Sequence, residues 1–240
     1  MGNQGKNILI GFVSILLVFG SLWIIWKMTS NPSAQQADTA QQNISISPSD
    51  NVKGDFTAPI TLVEYSDFQC PACKLYSATV KSVVEANSDV RLVYKHFPLD
   101  QHKNAQSAAY AAQAAAKQGK FFDFHDMLFE GQEEWAELKD PAKVFESYAQ
   151  SLKLDIDAFK KDLKSKETAD KVDSDYKSGV QIAVDSTPSF YLDGIRIKPQ
   201  SAADFQTLID NARAKLSAGD IETGTPSGEV SVTPAQKSTP

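Results

Sequence analysis

The 240-residue chain contains two cysteines, and they stand together as Cys70-Pro71-Ala72-Cys73. A pair this close cannot staple distant parts of a fold, so its value is chemical. A structural zinc site needs four protein ligands. Only His96, His102 and His125 are available beside the cysteines, and none falls at a paired ligand spacing. No metal is expected. Thiol-disulfide exchange needs only two sulfurs one helical turn apart, able to close a small ring without moving the backbone far. At the start of a helix, free N–H groups and the macrodipole favour a negative charge on the first sulfur. Cys70 is therefore expected to be the exposed nucleophile and Cys73, one turn further in, the resolving thiol. The reversible Cys70–Cys73 disulfide would be the only redox group required, with no separate cofactor.

The elements that must position the pair are legible on both sides of it. Ile60-Thr61-Leu62-Val63-Glu64-Tyr65 is a nearly continuous β-prone run, as in a strand covered on both faces. A helix is expected from Pro71, where a missing N–H costs nothing, to about Asn87. Val90 to Phe97 reads as a second, parallel strand, which completes a βαβ unit. Five helical segments follow: His102 to Gln118, Lys120 to Phe129, Pro141 to Leu152, Asp155 to Lys164, and Glu167 to about Ile182. Phe121, Phe122, Phe124 and Phe129 fall at helical spacing and are assigned to the core of this insertion, and His96 to a structural position. Ser189 to Leu192 and Ile195 to Ile197 flank Asp193-Gly194, a two-residue hairpin signal. A last helix opens near Ser201. The order is βαβ, a helical insertion over about 100–182, then ββα, an α/β fold.

Outside this domain the composition changes. Residues 7–26 read NILIGFVSILLVFGSLWIIW, about twenty uncharged residues and long enough to span roughly 30 Å of hydrocarbon. Lys6 and Lys27 bracket the run, and Trp23 and Trp26 lie where indoles favour an interface. Residues 1–29 are therefore assigned to an N-terminal cytoplasmic stub and an uncleaved transmembrane anchor. The alternative is a cleaved signal peptide, against which the long apolar run counts. Residues 30–53 are polar and read as a flexible linker reaching about 25 to 30 Å. The folded part is placed at 54–217, and 218–240 as a disordered tail. A net charge of −6 and a pI near 5.1 leave no basic field for nucleic acid. With the short N-terminus inside, the domain would face the periplasm or the extracellular side of the cell membrane, where disulfides persist.

Four stretches carry a family resemblance: Ile60 to Cys73 (ITLVEYSDFQCPAC), Val90 to Leu99 (VRLVYKHFPL), the Ala-rich helix running into Gly119-Lys120-Phe121, and Gly179 to Leu192 (GVQIAVDSTPSFYL). On these residues the chain resembles the DsbA-like family of thioredoxin-fold proteins over nearly all of 54–217. The resemblance implies a thioredoxin fold with a helical insertion, and an activity that donates, removes or reshuffles disulfides in exported polypeptides. It implies a cis bond before Pro188 beside the cysteines, with Thr187 touching the disulfide and backbone there offered to bound polypeptide. A trans turn proline is the alternative. It also makes Glu64 the acid beneath the active site, able to exchange a proton with Cys73. Read from the strand, Glu64 interrupts an otherwise apolar, buried run, and the alternative is an edge position facing solvent.

The resemblance implies a monomer working with a membrane redox partner, either a quinone-linked oxidase or a thiol reductant relay. Pro71-Ala72 lacks the histidine of the most oxidising relatives, so a moderate potential is expected. Disulfide formation is the first reading, isomerase or reductase activity the second, and a non-enzymatic redox sensor or metal-binding module the third.

Overall fold

The computed structural model describes residues 40–219. Strands β1 (Asn51–Lys53), β2 (Ile60–Ser66), β3 (Val90–His96), β4 (Ser189–Leu192) and β5 (Ile195–Ile197) form one sheet in the order β1-β3-β2-β4-β5. The β2–β3 pair is parallel and the other pairs are antiparallel. All seven β2 residues are buried, as a central strand covered on both faces requires. The connection between β2 and β3 is α1 (Pro71–Ala86). Six further helices precede β4: α2 (Ala105–Ala116), α3 (Phe121–Glu130), α4 (Gln132–Trp135), α5 (Ala142–Ser151), α6 (Ile156–Asp162) and α7 (Lys166–Gln181). Five of them match the expected segments. The four-residue α4 is too short to leave a periodic pattern. The last helix, α8 (Ala202–Ala218), runs one residue past the expected domain end, with Gly219 left-handed at φ 78° closing it. The chain thus has the mixed α/β thioredoxin-like architecture.

Alternation along β2 divides its side chains between two layers. Ile60 and Leu62 pack with Val80, Val83 and Val84 of α1 and with Phe205 and Ile209 of α8. Val63 and Tyr65 pack on the opposite side with Val93, Phe97 and Tyr191, under Tyr176 of α7. Glu64 shares the face of Leu62, toward α1. At the hairpin, Asp193 and Gly194 have φ of 49° and 81°, the left-handed pair such a two-residue turn requires.

The linker boundary needs correction. Residues 30–53 were expected to be a flexible tether, but from residue 42 onward they belong to the folded domain. The Gln42 N–H donates to the Gly194 carbonyl at 2.8 Å, and Ile44 and Ile46 pack against the Val63 layer. Val52 pairs with Val93 across β1 and β3. Asp50, whose side chain is 2% exposed, accepts from Lys95 at 2.7 Å and Lys171 at 2.9 Å, and Lys171 also pairs with Asp175 at 2.6 Å. These partners lie on β3 and α7, so a polar, apolar-poor segment is ordered by ion pairs that local composition cannot show. Among the described residues no helix is long and apolar enough to cross a membrane. The expected span at 7–26 and nearly all of the expected tail lie outside the described residues.

Candidate active site

Cys70 is the residue before the first turn of α1. Its backbone is extended (φ −73°, ψ 122°), and Pro71 takes the first helical position. No side chain caps this end, so its N–H groups face the sulfur. Cys70 was expected to be exposed, but only 7% of it reaches solvent, because the segment before Pro188 lies over it. The Thr187–Pro188 bond is cis, and the Cys70 thiol donates to the Thr187 carbonyl at 3.3 Å. Among the described residues the buried Thr187 hydroxyl has no other hydrogen-bond partner, which leaves its proton able to turn toward a Cys70 thiolate. Cys73 is completely buried and takes the Asp67 N–H at 3.5 Å.

The two sulfurs are chemically unequal. The Cys73 thiol, then Thr187 and the backbone N–H groups of Cys73 and Ala72, favour the Cys70 thiolate and outweigh burial, which brings its pKa down to about 5. Burial, then the adjoining Cys70 sulfur and the Glu64 carboxylate, push Cys73 well above the usual thiol range. At neutral pH Cys70 is the nucleophile, and Cys73 keeps its proton until something takes it.

Glu64 is 2% exposed on the central strand, which excludes the edge position. Burial raises its pKa to about 7, only partly opposed by Ser66. Tyr94 stands directly across from it on β3. The buried Ser66 Oγ faces Glu64, Cys73 and the Tyr94 hydroxyl without closing a hydrogen bond to any of them. His96 is likewise buried. Burial first, then the Lys171 charge, hold it neutral with a pKa of about 3, and it contacts Gln113 at 3.3 Å. It is a packing residue, as are buried Phe121, Phe124 and Phe129; Phe122 is half-buried against the same core.

The loop that delivers Cys70 is held by side chains the sequence reading did not single out. The Asp67 carboxylate, with no exposed surface, accepts from the Gln69 N–H (2.7 Å), the Leu99 N–H (2.9 Å) and His102 Nδ1 (2.7 Å). Gln132 Nε2 donates to the carbonyls of Phe68 (2.7 Å) and Cys70 (3.1 Å), and Gln69 Oε1 accepts the Asn104 N–H at 2.7 Å. The helical insertion thus grips residues 67–70 from one side while Thr187 meets them from the other. A buried carboxylate with three donors is costly to delete. Asp67→Ala is expected to lower the stability of the reduced protein by about 3 kcal/mol, read from urea unfolding followed by circular dichroism. A change below about 0.5 kcal/mol would show that Asp67 does not hold the loop.

Among the described residues no group of three His, Cys, Asp or Glu side chains converges to hold a metal. What the arrangement can do is reversible disulfide chemistry at Cys70, with Cys73 as internal partner and Glu64 as a nearby proton exchanger.

Comparison with known proteins agrees with this geometry. The family described as thioredoxin matches residues 47–211. A thioredoxin-like oxidoreductase from Silicibacter pomeroyi superimposes with a TM-score of 0.60 at 26% identity, covering 70% of this chain and 94% of that one. DsbA2 from Pseudomonas aeruginosa gives a TM-score of 0.55 at 25% identity over 74% of this chain and 99% of its own. A curated relative, the Na(+)/H(+) antiporter NhaA 3 of Salinispora tropica, is 39% identical over 148 residues, which is 61% of this chain and 22% of the antiporter. The chain spans about a fifth of the length of that relative.

Proposed function

The chain belongs to the thioredoxin family, and from that premise we propose that this thiol-disulfide oxidoreductase forms disulfides in exported polypeptides outside the cytoplasm. One observation carries the direction. Cys70 stands at the N-terminus of α1, where the Cys73 thiol and the backbone N–H groups of Cys73 and Ala72 favour its thiolate, so the reduced pair is stabilised and its disulfide is the better oxidant. In the forward reaction a client thiolate attacks Cys70 Sγ, the Cys70–Cys73 bond breaks, and Cys73 leaves as a thiolate. Its raised pKa demands a proton, which Glu64 supplies. A second client thiolate then attacks the client sulfur of the mixed disulfide, and Cys70 leaves readily as a thiolate. The client gains a disulfide and the enzyme ends as a dithiol.

The Thr187 carbonyl over Cys70 gives a bound client backbone an acceptor beside the reacting sulfur, and Leu75, 78% exposed on α1, adds an apolar surface nearby. Residues 7–26 would anchor the chain in the cell membrane, and a membrane partner would take the electrons from the dithiol, through a quinone or a thiol relay. The ion exchange named for the antiporter relative is not carried over, because the match occupies so little of that protein.

Trapping free thiols in intact cells with a mass-tagged alkylating agent tests the direction. An oxidase rests mainly with Cys70 and Cys73 joined. A pair found mainly reduced would overturn this direction in favour of an isomerase or reductase, which Thr187 before the cis proline also accommodates.

A further inference from the structure

A proton delivered by Glu64 must be replaced from solvent, yet Glu64 is buried among apolar residues of the sheet. A small cavity reaches it among the described residues. This cavity of about 10 Å3, close to the room a single water needs, is lined by Glu64, Ser77, Lys81, His125 and Asp126. Asp126 joins the interior to the surface. Its Oδ1 lies 2.9 Å from Nδ1 of His125, a buried ring, and its Oδ2 lies 2.6 Å from Nζ of Lys81, which is 43% exposed. A carboxylate only accepts, so His125 donates through Nδ1 and keeps a lone pair on Nε2.

We propose that this cavity is the route by which Glu64 exchanges its proton with solvent, with Asp126 as the carboxylate that orients His125 and opens the path at the surface. The inference rests on the assignment of Glu64 as the proton donor to Cys73. When Cys73 leaves as a thiolate it takes the Glu64 proton. A water in the cavity then passes a proton to the Glu64 carboxylate and in the same step takes one from bulk solvent at the Lys81–Asp126 end, so the net change is one solvent proton bound to Glu64 and no hydroxide is left. No electron moves in these steps. The charged and titratable groups around Glu64 and this cavity are Cys73 and Lys81 from α1, Tyr94 from β3, Lys53 from β1, and His125 and Asp126 from α3. Burial keeps both the Tyr94 hydroxyl and His125 in their neutral forms, so neither competes as a fixed charge.

The test is the single-turnover reduction of the Cys70–Cys73 disulfide by a small dithiol, followed by rapid quenching across pH 5 to 9. Four variants are compared in the full chain: Asp126→Asn, Asp126→Glu, Ser77→Leu (which fills the cavity from α1) and Glu64→Gln. Above pH 7, where Glu64 must first take its proton through the cavity, Asp126→Asn and Ser77→Leu are each expected to slow the step about 5-fold, a fraction of a full acid–base contribution, and so to steepen its fall with pH. Below about pH 6, where Glu64 already carries the proton, both should match wild type. Asp126→Glu should restore the rate and its pH dependence. In the Glu64→Gln background neither change should slow the step further. If Glu64→Gln slows the reaction but the Asp126 and Ser77 variants match wild type across the whole pH range, the route is wrong and the donor stands. If Asp126→Asn slows it equally with and without Glu64, the route is again wrong. A Glu64→Gln rate equal to wild type would remove the donor itself, and the route with it.

Discussion

Cys73→Ala is expected to convert the enzyme into a trap, accumulating client proteins joined to Cys70 and losing essentially all catalysis of exchange. The reason lies in the inequality of the two sulfurs. Cys70 is held as a thiolate at the uncapped end of α1, and an attacking thiolate is what forms a mixed disulfide. With Cys73 intact, the internal thiol is one turn away and clears that species by displacing the client. With alanine there, clearance waits for an outside thiol, which must reach a sulfur that is only 7% exposed under Thr187. Mixed disulfides should therefore appear as high-mass bands on non-reducing gels and vanish with reductant. The reciprocal variant, Cys70→Ala, should capture almost nothing, because Cys73 is fully buried and holds its proton. Equal capture by the two variants would show that the roles are not divided this way.

Glu64→Gln is expected to slow reduction of the Cys70–Cys73 disulfide by about 100-fold at pH 6, the low end of what a positioned acid contributes. Burial, not a neighbouring charge, is the main cause of its raised pKa, so a value near 7 also holds when the sulfurs are joined. Below pH 7 the carboxyl carries the proton that the departing Cys73 needs; above it the proton is gone. Corrected for the ionisation of the attacking thiol, the wild-type rate should fall as pH rises through about 7, and the variant should show no such step. The same shift has a consequence for stability. A carboxyl whose folded pKa is raised contributes most at low pH, and that contribution is lost between the unfolded value near 4.5 and about 7. Glu64→Gln should consequently stabilise the reduced protein by about 3 kcal/mol more at pH 8 than at pH 4, read from urea unfolding. A constant difference across that range would mean that Glu64 does not titrate in the fold as described.

The parts of this site that sequence reasoning reached are those with a local signature. The cysteine spacing, Pro71 at the helix start, and the interruption of an apolar strand by Glu64 are contained within fourteen residues, and the β2–α1–β3 order follows from periodicity. What it missed depends on residues far apart in the chain. Asp67 meets His102 across 35 positions, Gln132 reaches the Phe68 carbonyl across 64, and Lys171 meets Asp50 across 121. Each is a polar residue with an unremarkable neighbourhood in sequence, and only the fold supplies its partner. The tether was misread for the same reason: β1 has three residues, too few for alternation to show, and pairs with β3, while Asp50 just before it is held by Lys171 of α7. The partial covering of Cys70 was hidden because the sequence places Thr187 far away while the fold lays its carbonyl on the sulfur. A rule follows for Asp67. A buried acid just before the cysteines signals support for the loop when its donors come from the segment after the next strand, as Leu99 and His102 follow β3 here.

The equilibrium of the Cys70–Cys73 pair with glutathione tests the central claim most directly. Full-length protein in detergent is brought to equilibrium with defined ratios of reduced and oxidised glutathione, and the fraction of joined cysteines is read by alkylation and mass spectrometry. A thiolate as favoured as that of Cys70, without the added positive charge of a histidine between the cysteines, predicts a potential of about −130 to −200 mV, between the strongest protein oxidants and the isomerases. A value near −270 mV, at the reducing end of this fold and roughly 3 to 6.5 kcal/mol below that range, would contradict an oxidase and leave Cys70 a reductant's nucleophile.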